Sequence, residues 1–303
     1  MLLDFRALIR VSRMFQSFWM LAASLLFAMM AAFARMGASD FSSLELVFYR
    51  SAFGAAVIGL WVMQRGFTVR TPLVKAHFMR SFLGTFALTI WFFAIARLPL
   101  GTAMTLNYTS PLYMALIVIV LALRRGETFS KASAAAVVLG FLGVTLVLKP
   151  ELTPEQMIPA LVGLTSGFFA ALAYFQIREL SRMQEPEWRI VFYFTVFGTV
   201  WGLGGQLLLE GGMTPVTWDN VPALIGMAVT ATGAQLAMTR AWGASNTLLT
   251  AVFQYSAIVF AALFGTWFFD EPIGLASAAG IALILTAGVW AALISRRSQA
   301  VKR

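Results

Sequence analysis

Ten apolar runs of about 20 residues follow one another along this chain, at about 18–36, 44–64, 77–97, 101–123, 130–148, 157–178, 187–209, 219–241, 244–269 and 273–295. At the rise of an α-helix that length matches the hydrocarbon thickness of a bilayer. In lipid every backbone N–H and C=O must be paired within its own segment, so the runs are predicted to be transmembrane helices. The loops between them are short and carry helix breakers, as in "MGASDFSS", "LPLG", "EGGMTP" and "FDEP". With 60% hydrophobic and 12% charged residues and a mean hydropathy of +0.81, the chain has too little polar surface for a water-soluble domain of 303 residues. The fold class expected is all-α integral membrane, with ten transmembrane helices.

The net charge of +9 is read as loop charge at a membrane surface, not as a nucleic-acid footprint. With the N-terminus inside, 18 of the 22 Lys and Arg fall on the inner side and 3 on the outer, with Arg50 inside a span. Arg80 is counted here among the inner loop charges, with Arg65, Arg70 and Lys75. Both termini are therefore expected in the cytoplasm. Arg6, Arg10 and Arg13 precede an apolar run too long for a signal peptide, so the first run is read as a retained span. The chain has no Cys and a single His, His77, which excludes disulfides, thiolate metal sites and multi-histidine sites. No cofactor and no enzymatic activity are expected. His77 itself is placed at the inner membrane edge.

"VFYRSAFG" at 47–54 and "VFYFTVFG" at 191–198 match at five of eight positions, 144 residues apart. Glu127 and Glu271 share that spacing, each just before the last span of its half. Five spans separate the copies, so the second must enter the membrane from the opposite side, and the loop charges reverse accordingly. The prediction is two inverted five-helix repeats, 1–149 and 150–303, around a central cavity with a small-molecule substrate held between the halves. Gly198-x-x-x-Gly202 reads as close helix packing, with a homodimer face as the lesser alternative to a monomer.

Several residues are candidates for the cavity. Pro111 in "NYTSP" clashes with the carbonyl four residues back, that of Asn107, and frees it for a ligand. The bland alternative is that nearby hydroxyls re-pair the backbone. Asn107, Tyr108 and Ser110 cluster there, and Gln254, Tyr255 and Ser256 form the corresponding group in the ninth span. A ligand ammonium or carboxylate between the clusters would meet amides and hydroxyls. Trp91 and Tyr174 lie deep enough to stack on a substrate ring, or simply to pack. Gln235 is deep and uncharged. Arg50 snorkels outward, caps a neighbouring helix end or binds a substrate carboxylate; its repeat counterpart is Phe194. Glu127 and Glu271 suit helix N-termini, with Pro272 in a first turn. All 13 Asp and Glu fall in tails, loops or span ends, so movement down the substrate gradient, without ion coupling, is expected.

"LVFYRSAFG", "AIARLPLGTAMTLNYTSPLYMALI", "GETF" and "DEPIGLASAAGIALILTAGV" together resemble the drug/metabolite transporter superfamily in its ten-helix EamA-type form. Within it the chain is most similar to the YddG-like exporters of aromatic and other amino acids. The resemblance implies a bacterial inner-membrane exporter whose cavity is lined by the first, third, fourth, sixth, eighth and ninth spans. It places the fifth and tenth at the periphery. Carriers of drugs or of other metabolites such as nucleosides are the alternative within the superfamily. The chain departs from the pattern at Gln254-Tyr255-Ser256, where many members carry a proline.

Overall fold

The computed structural model describes residues 2–126, 153–244 and 253–301, and 135, 138–140, 142–143, 146 and 250 besides. Among them the secondary structure is helical: α1 (Leu2–Gly37), α2 (Ser43–Gln64), α3 (Val74–Ile95), α4 (Leu100–Asn107), α5 (Ser110–Arg124), a 3-10 turn (Pro154–Gln156), α6 (Met157–Arg182), α7 (Glu187–Leu209), α8 (Val221–Ala244), α9 (Ser256–Phe269) and α10 (Leu275–Val301). Among the described residues seven segments are long and apolar enough to cross a membrane: Phe18–Gly37, Ser43–Gln64, Val74–Ile95, Leu100–Leu121, Pro154–Arg182, Glu187–Leu209 and Val221–Gly243. The shorter apolar helices Ser256–Phe269 and Leu275–Ala287 lie where the ninth and tenth spans are expected. Glu127, most of the fifth expected span and the boundary at 149/150 lie outside the described residues.

The repeated phrase is where α2 and α7 meet. A Cβ built on Gly198 would fall 2.5 Å from Ser51 Oγ, and one on Gly54 would fall 2.9 Å from Thr195 Cγ2. Ser51 and Thr195 are 144 apart, as are Gly54 and Gly198, so the same shift interchanges the two contacts. One turn further, a Cβ on Gly202 would sit 2.6 Å from the Phe48 backbone nitrogen. Small residues let membrane helices touch where lipid removes the hydrophobic drive between them. The Gly198/Gly202 pair is thus used within the chain. Other pairings are reciprocal in the same sense: α1 packs on α8 and α3 on α6, α1 on α9 and α5 on α6, α2 on α8 and α3 on α7.

The proline in the fourth span does more than bend it. The helix ends at Asn107, turns through Tyr108 and Thr109, and restarts at Ser110, with Pro111 in the first turn of α5. A first-turn proline needs no donor and is pre-set in φ. Thr109 Oγ1 donates to the Leu106 carbonyl at 2.6 Å, so a hydroxyl pairs with the backbone beside the break. The Asn107 carbonyl packs against α6, where a Cβ on Gly167 would lie 2.9 Å from it.

Polar ties close both ends of the bundle. At the end carrying the α1–α2 loop, Ser42 caps α2 in a reciprocal box with Glu45. Glu45 Oε1 also accepts from the Thr214 amide at 2.5 Å, which holds the α7–α8 loop. Glu271 sits at a helix N-terminus, but at that of α4 and not of its own helix: its Oε2 accepts from the Leu100 amide at 2.6 Å. At the other end Glu185, between α6 and α7, accepts from Thr71 Oγ1 and from Arg189 Nη1 at 2.9 Å. Arg189 Nη2 donates to the Thr68 carbonyl at 2.9 Å, which ties the α2–α3 loop to α7. His77 is buried at this end of the bundle; its ring lies 4.6 Å from that of Tyr193 and its Nε2 3.6 Å from the Glu185 carboxylate.

Burial pushes the Glu185 carboxyl up, but hydrogen bonds from Thr71 and Arg189 and the charges of Arg189 and His77 hold it below the usual glutamate range. A carboxyl lowered on folding contributes stability that is present above its unfolded pKa and lost as the pH falls through the folded one. Glu185→Gln is therefore expected to flatten the acid limb of the stability–pH curve in detergent. Acid sensitivity identical to that of the wild type would contradict this.

Candidate functional site

Arg80, Gly84, Ala87, Leu88 and Trp91 recur at helical spacing and form one stripe along α3. The stripe faces a cavity. The other walls come from Phe27 on α1, Asn107 and Tyr108 at the α4 break, Ala170, Ala173 and Tyr174 on α6, Phe194 on α7, and Gln235 and Met238 on α8. That mix, apolar rings with a few convergent polar groups, suits a small-molecule site.

The polar groups are oriented by named partners. Asn107 Nδ2 donates to Ser166 Oγ at 2.9 Å. Trp91 Nε1 donates to the Ala103 carbonyl at 3.2 Å, which pins α3 to α4. Tyr174 stacks on Trp242 with ring centres 5.8 Å apart. Arg80 Nη2 reaches Gln235 Oε1 at 3.4 Å. The cavity is thus amphipathic: five rings, two amides and one guanidinium.

Of the residues singled out from the sequence, the cavity brings together Trp91, Asn107, Tyr108, Tyr174 and Gln235. The second polar cluster does not face it across open space. Gln254 is buried and its Nε2 reaches Ser110 Oγ at 3.4 Å, a contact between positions 144 apart. Ser256 Oγ donates to the Phe253 carbonyl at 2.6 Å. The Tyr255 hydroxyl is buried without a hydrogen-bond partner. Ser110 and Pro111 lie on the α5 side of the break, outside the cavity lining.

Arg50 does not snorkel. It is 2% exposed, with its guanidinium carbon 5.6 Å from the ring centre of Phe194, its own repeat counterpart. Among the lining residues that escaped the sequence reading, Arg80 and Phe194 matter most for the chemistry. Arg80 was counted as loop charge because it stands only a few residues inside its apolar run, yet it is 2% exposed and belongs to α3. Phe194 was one of 27 phenylalanines with nothing local to mark it. The seventh span therefore joins the lining set that the resemblance implied.

Comparison with known proteins bears on what such a cavity serves. The model of the EamA-like transporter family matches residues 14–149. The pseudopaline exporter CntI of Pseudomonas aeruginosa (strain UCBPP-PA14) is 31% identical over 264 residues, 87% of this chain and 91% of its own length. The riboflavin transporter of Vibrio cholerae is 26% identical, covering 79% of this chain and 80% of its own. The S-adenosylmethionine uptake transporter of Rickettsia prowazekii is 21% identical, with 86% of each covered. A solved crystal structure, 20% identical, superposes with a TM-score of 0.69 over 94% of this chain and 99% of its own, which shows a shared fold.

Proposed function

This chain belongs to the EamA-like transporter family, and from that premise we propose that its cavity is the substrate site of an exporter of amino acids, aromatic and other neutral ones, or related small metabolites, working by alternating access. The observation that carries the reading is the cavity's make-up. Trp91, Tyr108, Tyr174 and Phe194 supply rings for an apolar side chain, and Asn107 and Gln235 supply amides for polar ends. Its walls come from both 1–149 and 150–303, the proposed inverted halves. The interchanging contacts Ser51–Gly198 and Gly54–Thr195 support that symmetry. The Ser110–Gln254 contact is the proposed seam on which the halves rock. The Thr71–Glu185 end then faces the cytoplasm, as the loop charges expect.

The pseudopaline exporter supports the outward direction. The riboflavin and S-adenosylmethionine carriers favour a second reading, a carrier of this superfamily for another metabolite or a drug. Proteoliposome counterflow with amino acids, nucleosides and dyes separates the two. Amino acids are expected to exchange, and an imposed pH gradient is expected to produce no accumulation. Nucleosides moving where amino acids do not would favour the second reading. Uphill uptake driven by the pH gradient would remove uncoupled movement.

A further inference from the structure

Phe194 carries an arginine on each flank. The Arg80 guanidinium carbon lies 4.2 Å from the ring centre and that of Arg50 5.6 Å. Both residues are 2% exposed. Arg50 leaves Nε and Nη1 without a hydrogen-bond partner, and Arg80 leaves Nε. Among the described residues neither has an ion-pair partner. A guanidinium keeps its proton in proteins, so it cannot escape the cost of burial by neutralising. The Phe194 ring offsets part of that cost through its negative face. It does nothing to relieve the repulsion between two cations that share it.

Arg80 is also held in place. Its Nη2 reaches Gln235 Oε1 at 3.4 Å, and its Nη1 lies where a Cβ on residue 84 would collide with it. Only a glycine at 84 leaves the guanidinium lying along α3 at the cavity wall. Two buried cations with unpartnered donors, one of them held against Gln235 and lining an amphipathic cavity, make a site for negative charge.

We infer that the cavity takes its cargo by a carboxylate, docked on Arg80, with Arg50 behind Phe194 keeping the local potential positive. The inference rests on the reading of this cavity as the substrate site. The planar fork of Arg80 can present two parallel N–H donors to a carboxylate, and that geometry selects an acid over an amide of the same shape. The rings of Trp91, Tyr108 and Tyr174 receive the apolar remainder.

The test uses the full chain in proteoliposomes. The probes are phenylalanine, its carboxylate analogue without the ammonium (3-phenylpropionate), its amide, and the pair leucine and leucinamide. The acids, including 3-phenylpropionate, are expected to exchange at least tenfold better than the amides. Arg80→Gln is expected to erase that preference, Arg80→Lys to restore part of it, and Gly84→Ala, which keeps the charge but displaces it, to behave like Arg80→Gln. A thermal-shift measurement supplies a binding readout and a folding control: 3-phenylpropionate should raise the melting temperature of the wild type and not that of folded Arg80→Gln. Amides moving as well as acids, or Arg80→Gln and Gly84→Ala keeping the acid preference, would overturn the carboxylate site while transport stands. No exchange of any probe would remove the amino-acid reading and this inference together.

Discussion

Replacing Gly202 with leucine will leave α7 unable to seat on α2, and the protein will not reach its folded state. Even the single carbon of alanine would fall 2.6 Å from the Phe48 nitrogen and 2.8 Å from the Leu44 oxygen and the Phe48 Cα. All three are backbone atoms of a helix, so none can rotate aside as a side chain would. Overpacking a well-fitted contact costs about 1–3 kcal/mol, and Gly202→Ala is expected near the top of that range. Gly204 is the internal control. It lies on the same helix and has no heavy atom within 4 Å of its would-be Cβ. Gly204→Ala should leave the melt unchanged or raise it slightly, because alanine is the better helix former. Thermal unfolding of the two alanine variants in detergent decides the matter. Equal midpoints would show that α2 and α7 are not held this closely.

The second large effect is expected at Glu271. Its carboxylate joins three segments, accepting from the Leu100 amide at the start of α4 and pairing with Arg35 Nη2 at 3.1 Å. Arg35 Nη1 donates in turn to the Ile95 and Leu98 carbonyls at 2.6 and 2.8 Å. Glu271→Ala removes a helix cap and strips a half-buried arginine of its counter-charge. A lost cap costs about 1 kcal/mol and a broken buried pair about 3–5 kcal/mol; solvent reaches both partners here, so about 2–3 kcal/mol in all is expected. Glu271→Gln should behave differently. Burial pushes the Glu271 carboxyl up, against the Leu100 amide and Arg35. A carboxyl raised on folding contributes stability below its unfolded pKa that is lost as the pH rises through the folded one. Glutamine keeps the cap without that loss, so it should unfold within about 1 kcal/mol of the wild type at neutral pH. Equal destabilisation by alanine and glutamine would mean that the charge, and not the cap, holds this end.

The two predictions differ in how far the sequence announced them. Gly198-x-x-x-Gly202 is a local pattern, and its use in close packing could be read directly. Glu271 was recognisable as a carboxylate for a helix N-terminus, but the pattern pointed to its own helix. It serves α4 because the α9–α10 turn brings residue 271 beside residue 100, 171 positions away. Arg80 shows the same limit from the other side. Near the start of an apolar run it is indistinguishable from a loop cation. The one local clue is Gly84, four residues on, where the helix leaves room for a long side chain to lie back along it. The Asn107 cluster was legible because a proline and three polar residues in one apolar run are conspicuous.

By itself, then, the sequence determined the class of the fold: apolar runs of bilayer length, helical because lipid offers the backbone no other partner. It also marked which small residues would allow helices to touch. Only the tertiary structure decided which side chains share the cavity, that Gln254 meets Ser110, and that Arg50 and Arg80 close on Phe194. The physical reason is rotation about the helix axis. A helix that is apolar on every side carries no stripe to say which face turns inward, so packing alone chooses it.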